Sequence, residues 1–422
     1  MKNEPMNPAP RSGGMNRREF LKTAAGAAVT SAIASGSLLA AVTDANKPAE
    51  PNKPAEKKET YPQVPTRPFG RAKIPVPILS FGAMFDIMEN RILLHKTLQW
   101  GVNYWDTASS YAGGRSEEGI GQFLAQNPER RKEIFIVTKA SGARDAASRS
   151  QCLQTSLQRM NTNYVDLYYG VHALSDPAGL NDELKQWAAD AKAKGLIKYF
   201  GFSTHKNMAD CLLAASKLDW IDAIMTSYNY RLMQDASLSA AVDACHKAGI
   251  ALIAMKTQAL RSDSSDSNSL GNYFIQKGFT EGQAKIKSVL KDERICSACV
   301  TMKSVATLTS NVAAVLDKTE LSRGDLEFMD SYAKQTCEGF CAGCANLCAA
   351  AVPQMPYIND VLRSLMYHRR YGDTGLAKEV FSNVAALVNA PITNFDYRLA
   401  EKICPNGIPI GSLMKEAHNL LA

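Results

Sequence analysis

The chain has 422 residues, 45% hydrophobic and 21% charged, enough apolar material for a large core in one or two domains. Its formal net charge of +7 falls to +5 once residues 1–45, with five basic and three acidic side chains, are set aside. The remaining charges are dispersed, with no basic block and little aromatic interleaving, so no nucleic acid is expected among its partners.

Residues 1–45 read as an address rather than as part of the fold. Arg17-Arg18 stands in NRREFLK, ahead of a mildly apolar, Ala/Gly-rich run from Thr23 to Ala41 that ends in small residues suited to a signal peptidase. The run is too rich in Ser, Thr and Gly for a strong membrane anchor, although an uncleaved anchor is the alternative. Paired arginines followed by Phe-Leu-Lys resemble the twin-arginine export signal. That resemblance implies the twin-arginine export machinery as a partner, passage in the folded state, and a periplasmic or otherwise exported location. Residues 46–65 follow as a Lys/Pro/Glu-rich linker that contains NKPAE twice, a composition that buries no core.

From 66 to 316, apolar runs of strand length alternate with helix-patterned segments. The strand candidates are ILSFGAMF (78–85), the start of VNYWDTASSY (102–111), IFIVTKA (134–140), VDLYYGVH (165–172), IKYFGFST (197–204), AIMTSYNY (223–230), ALIAMKT (251–257) and SACVTM (297–302). Helical patterns lie between them, for example at 181–194 and 237–248. Eight such units predict an α/β fold, a closed (β/α)8 TIM barrel. A doubly wound open sheet is the alternative, weakened because no strand runs into a G-x-G-x-x-G turn. Asp106, Lys139 and His172 close successive strands and Tyr111 follows the first of them. In a barrel those ends meet on the C-terminal face, where the chemistry sits.

GVNYWDTASSYAGGRSEEGIG, IVTK, the His172 strand end, GFST and SYN are similar to the aldo-keto reductases over roughly residues 66–316. The resemblance implies an oxidoreductase that moves hydride between a nicotinamide cofactor, NADP or NAD, and the carbonyl or alcohol of a small polar substrate. It implies Tyr111 as proton donor, Lys139 lowering the phenol pKa, Asp106 holding Lys139 charged, and His172 positioning the substrate oxygen. In the cofactor half, Ser203 takes the place of the carboxamide contact, while Thr204 stands where the family has Asn. Lys303, Ser304 and Asn311 keep the adenosine side. Met225, Met255 and Thr307 replace a Gln, the stacking Tyr, and an Arg or Gln. Lys256 and Lys303 offer point charges for phosphates. These departures leave open a binding or electron-carrier protein on a barrel that has lost nucleotide affinity, and nucleotide-independent proton chemistry as a third reading.

Residues 317–422 read as an α-helical C-terminal iron–sulfur domain. CEGFCAGCANLC sets Cys337, Cys341, Cys344 and Cys348 in a C-x3-C-x2-C-x3-C run, and Cys404 precedes Pro405. The run resembles ferredoxin-type [4Fe–4S] ligation, with Cys348 or Cys404 as fourth ligand. A redox partner follows from that resemblance. Alternatives are a helical stripe of small core residues, structural zinc, or disulfides. Cys296 and Cys299 form a C-x-x-C whose strand alternation predicts opposite faces. Amphipathic segments at 358–373 and 410–421 are expected to pack around the cluster and cap one side of the barrel, with His368-Arg369-Arg370 as a solvated face.

Overall fold

A computed structural model describes residues 61–258 and 269–422. The export segment and the linker as far as residue 60 lie outside the described residues. Among those described, no helix is long and apolar enough to cross a membrane.

Strands β1 (Thr66–Pro68) and β2 (Pro75–Pro77) form an antiparallel hairpin ahead of the main sheet. The main sheet comprises β3 (Leu79–Gly82), β4 (Tyr104–Asp106), β5 (Phe135–Lys139), β6 (Val165–Val171), β7 (Ile197–Thr204), β8 (Ala223–Ser227), β9 (Ala251–Met255) and β10 (Ser297–Thr301). It closes in the order β10-β3-β4-β5-β6-β7-β8-β9, with every neighbouring pair parallel. The open-sheet alternative is therefore not adopted.

Period-two alternation splits each strand between two cores. In β6, Leu167 and Tyr169 fill the barrel interior, whereas Tyr168 points outward and packs on Trp187 of the helix Asp182–Ala193, ring centroids 5.6 Å apart. The hairpin delivers Phe69 to the barrel floor, 5.2 Å from the Phe135 ring and 5.1 Å from Tyr199. With the floor plugged, the C-terminal mouth is the accessible end. Asp145, Asn181, Asp235 and Ser304 start their helices by accepting from the backbone N–H three residues on. Cys296 and Cys299 depart from the opposite-face expectation. Cys296 precedes β10, outside its strict alternation, so both thiols enter the barrel interior.

Residues beyond Leu316 are helical and build a second core around Met355, Ile358, Val361, Ala377, Met414 and Ala417. The helix Ile358–Tyr371 docks against the barrel mouth. Lys206, just past β7, pairs with Asp360 at 2.9 Å, Asp360 pairs with Arg363 at 2.7 Å, and Arg363 donates to His205 Nε2. Asn207 N–H donates to the Gly343 carbonyl at 2.8 Å, and its side-chain oxygen accepts from Asn346 N–H at 2.9 Å. Gly343 adopts φ +88°, and a Cβ there would come 2.6 Å from the His205 carbonyl oxygen. Left-handed backbone and close approach both require glycine at this point.

Gly343→Ala is accordingly expected to cost about 1–3 kcal/mol. Thermal melting should shift down, and native-state proteolysis should cut the 317–342 region while the barrel survives. An unchanged melting temperature and cleavage pattern would contradict this docking role.

Candidate active site and cysteine cavity

Lys139, at the end of β5, is 1% exposed and donates to Asp106 Oδ1 at 2.5 Å and to the Thr107 carbonyl at 2.7 Å. Its Nζ lies 4.8 Å from the centroid of the Tyr111 ring, and the Tyr111 and His172 rings meet edge-on at 6.1 Å. Strand ends β4, β5 and β6 thus bring Asp106, Lys139, Tyr111 and His172 together. The loop carrying Tyr111 turns sharply through Ala112, Gly113 and Gly114, all with positive φ. A Cβ on Gly114 would strike the Arg159 guanidinium at 2.5 Å. Arg159 donates to the Ser109 carbonyl at 2.8 Å and pairs with fully buried Glu117 at 3.3 Å; Glu117 accepts from Thr138 at 2.6 Å. The Tyr111 loop is thereby tied to β5.

Burial works against the charge on Lys139, but Asp106 and Tyr111 outweigh it and hold its pKa above the usual lysine value. Burial also raises Asp106, with Lys139 opposing. The phenol departs from expectation. Burial lifts Tyr111 to about 12, even though Lys139 pulls it down. For His172, burial, then Lys139 and Arg363, lower the pKa to about 3, so the ring is neutral. Ser110 donates to Ser141 Oγ at 2.9 Å, and Ser141 meets His172 Nδ1 at 2.8 Å. With Ser141 donating onward to Nδ1, the ring proton resides on Nε2.

The cofactor candidates divide. Ser203 Oγ accepts from Ala173 N–H at 3.0 Å and keeps its own proton to donate, whereas Thr204 Oγ1 donates to the Leu174 carbonyl at 2.7 Å. Met225 is buried in the barrel interior and Met255 packs at its edge. Lys303 is exposed, and Ser304 caps the helix Val305–Leu316 by accepting from Thr307 N–H at 3.1 Å. Asn311 accepts from Gln258 at 3.1 Å while its Nδ2 is buried without a partner among the described residues. Thr226, Ser227 and Thr257, at the ends of β8 and β9, also keep buried hydroxyls without partners among the described residues. The adenosine side and the mouth therefore fit a polar ligand better than Thr204 does.

Lys256, expected only as a phosphate contact or a solvated rim lysine, lines a cleft between the mouth and the helix Ile358–Tyr371. His205, Ser227, Asn229, Arg363, Arg369 and Arg370 share that cleft. The sequence reading missed His205, Ser227 and Arg363, and set Arg369 and Arg370 aside as a solvated face. The only sequence signal for the three arginines is a cationic stripe on an amphipathic helix.

The cysteines are free thiols, so the disulfide alternative is not realised. Cys337 sits in a short turn, Cys344 caps the helix Ala345–Ala351 and Cys348 lies inside it, so they form no single helical stripe. Cys341, Cys344, Cys348 and Cys404 line one small enclosed cavity with Pro405, Ile408 and Ile410. Cys337 is not among the residues that line it. Its carbonyl accepts from Phe340 N–H at 2.9 Å, closing a turn ahead of the cavity. Cys348 and Cys404 both face the cavity rather than competing for one place. Asn359 Nδ2 donates to Cys341 Sγ at 3.0 Å. Burial raises Cys341 against opposing hydrogen bonds from the Gly343 backbone and Asn359, while burial first, then the neighbouring thiols, lift Cys344 to about 11 and Cys348 to about 12. Among the described residues, no group of three or more His, Cys, Asp or Glu is arranged to hold a metal ion.

The profile of the Aldo/keto reductase family matches residues 82–323. A probable voltage-gated potassium channel subunit beta from Oryza sativa is 29% identical over 181 residues, 39% of this chain and 54% of that protein. L-glyceraldehyde 3-phosphate reductase from Escherichia coli O157:H7 is 25% identical over 329 residues, 65% of this chain and 94% of that protein. The chain spans about half the length of the first curated relatives it matches. An aldo-keto reductase from Bacillus halodurans in its holo form superposes with a TM-score of 0.53 at 21% identity, covering 64% of this chain and 96% of that one. A thermostable aldo-keto reductase solved with the inhibitor epalrestat superposes with a TM-score of 0.53 at 25% identity, covering 63% and 98%. With more than half of its length matched by the profile, the chain belongs to the aldo/keto reductase family.

Proposed function

We propose that this protein is an NAD(P)-dependent oxidoreductase interconverting a carbonyl and an alcohol on a small polar substrate. The observation that carries the reading is the buried Lys139–Asp106 pair set beneath Tyr111 and beside a neutral His172. Bound nicotinamide nucleotide supplies or accepts the hydride, with Lys303, Ser304 and Asn311 as the residues that would hold its adenosine end. Tyr111 delivers the proton to the developing alkoxide. Lys139 stabilises the phenolate left behind, and Asp106 keeps Lys139 charged and in place. His172, with its proton on Nε2, orients the substrate oxygen without carrying charge.

The cysteine cavity supports a [4Fe–4S] cluster held by Cys341, Cys344, Cys348 and Cys404. Four thiols gathered in an apolar pocket stay protonated unless positive charge is placed among them, which is what a cluster provides along with one-electron chemistry. The twin-arginine reading of residues 1–45 belongs to the same proposal: a chain loaded with its cluster must leave the cytoplasm folded. A second reading, an electron carrier with no nucleotide, draws support from the internally engaged Thr204 and from Met225 and Met255. Titration with NADPH and NADH separates the two.

Tyr111→Phe is expected to lower kcat by about 10²–10⁴-fold with the fold intact, the usual worth of a positioned acid. Retention of full turnover would remove Tyr111 from the chemistry. His172 should remain neutral well below pH 6.5, its imidazole NMR resonances flat between pH 5 and 8. The sign follows from its depressed pKa of about 3 against 6.5: below 6.5 the unfolded chain takes up a proton that the folded chain refuses, so this group costs stability as pH falls. Titration of His172 near 6.5 would refute its burial as a neutral donor. Protein recovered anaerobically from the exported fraction is expected to carry about four irons and four sulfides per chain. Cys404→Ser should lose them and Cys337→Ser should keep them; recovery solely from the cytoplasm would sink the export reading.

A further inference from the structure

The cleft between the barrel mouth and the helix Ile358–Tyr371 encloses a cavity of about 120 Å³, room for a small anionic group. Its charge is one-sided. Lys256, Arg363, Arg369 and Arg370 line it against the single carboxylate of Glu338. Arg363 is anchored by Asp360, and Arg369 pairs with Glu416. Lys256 has no carboxylate within ion-pair distance among the described residues, and it shares the cleft with Arg363. Burial first, then Arg363, lower the Lys256 pKa to about 7, so an anion placed between the two side chains restores the lysine charge and is itself stabilised. An independent observation points the same way. Ser227 is 5% exposed and lines the cleft, and its hydroxyl has no hydrogen-bond partner among the described residues. A buried orphaned hydroxyl is costly unless a ligand takes the bond.

We propose that this cleft binds an anionic group, phosphate or carboxylate, between Lys256 and Arg363, with Ser227 donating to it. The site joins two parts of the chain: Ser227 and Lys256 come from the ends of β8 and β9, and Arg363 from a helix beyond the family-matched residues. It also shares Cys341, Ala342, Asn359, Leu362 and Ile408 with the wall of the cysteine cavity, so its ligand lies next to Cys341. Two sources supply such an anion: the pyrophosphate of the nucleotide, or an acidic substituent on the carbonyl substrate. The inference rests on the oxidoreductase reading for that choice of source alone.

The test is isothermal titration of the full chain with inorganic pyrophosphate, with and without saturating NADP+. Wild-type protein is expected to bind pyrophosphate with an affinity that falls as salt is raised. Lys256→Gln should weaken binding by about tenfold or more, the worth of one charge-assisted contact. Lys256→Arg should restore most of it, and Ser227→Ala should weaken it with all charges kept. If NADP+ displaces pyrophosphate, the anion is the nucleotide's; if the two bind together, it belongs to the substrate. Failure of folded wild-type protein to bind pyrophosphate, or equal binding by Lys256→Gln, overturns the site. Absence of NADP+ binding with pyrophosphate still bound would count against the nucleotide-dependent reading and leave the anion site standing.

Discussion

One buried carboxylate joins the two parts of this molecule. Asp360 takes Lys206 from the barrel rim and Arg363 from its own helix, and Arg363 in turn reaches His205. Removing one partner from a buried ionic network leaves an uncompensated charge, and such losses run to about 3–5 kcal/mol. The network therefore sets the rotation of the helix Ile358–Tyr371. That rotation decides the rest: Asn359 faces the cysteine cavity, while Arg363 and Arg370 face the mouth.

Inside the mouth, burial and charge compete, and the outcome differs for each group. Lys139 stays charged because its partner is 2.5 Å away, close enough for Coulomb attraction to outweigh desolvation. For Tyr111, burial outweighs the pull of Lys139, whose ammonium lies 4.8 Å from the ring centroid. His172 has only cations nearby, so every influence favours the neutral ring. A neutral donor beside a charged lysine is the arrangement that lets one group orient an oxygen and another stabilise the charge that develops there.

Much of this was legible along the chain, for local reasons. Strand alternation and helix caps act over a few residues, so the eight β/α units could be read directly, as could the placement of Asp106, Lys139 and His172 at strand ends. The tight Ala112–Gly114 turn is equally local. The cysteine grouping was legible only in part. The run 337–348 is compact in sequence, yet Cys337 does not line the cavity, and Cys404 arrives from more than fifty residues further on. The direction of the Tyr111 shift was not legible either, because it depends on how deeply the ring is covered.

By itself, the sequence determined the barrel, the reactive residue types on its rim and the presence of a thiol-rich helical tail, because hydrophobic period and local backbone preference suffice for those. Tertiary structure alone decided which four cysteines share a cavity, that Lys256 confronts Arg363 across a cleft, and that Ser227 is left without a partner. These are pairings between distant segments. They depend on how one helix is turned by Asp360, and no local pattern encodes that angle.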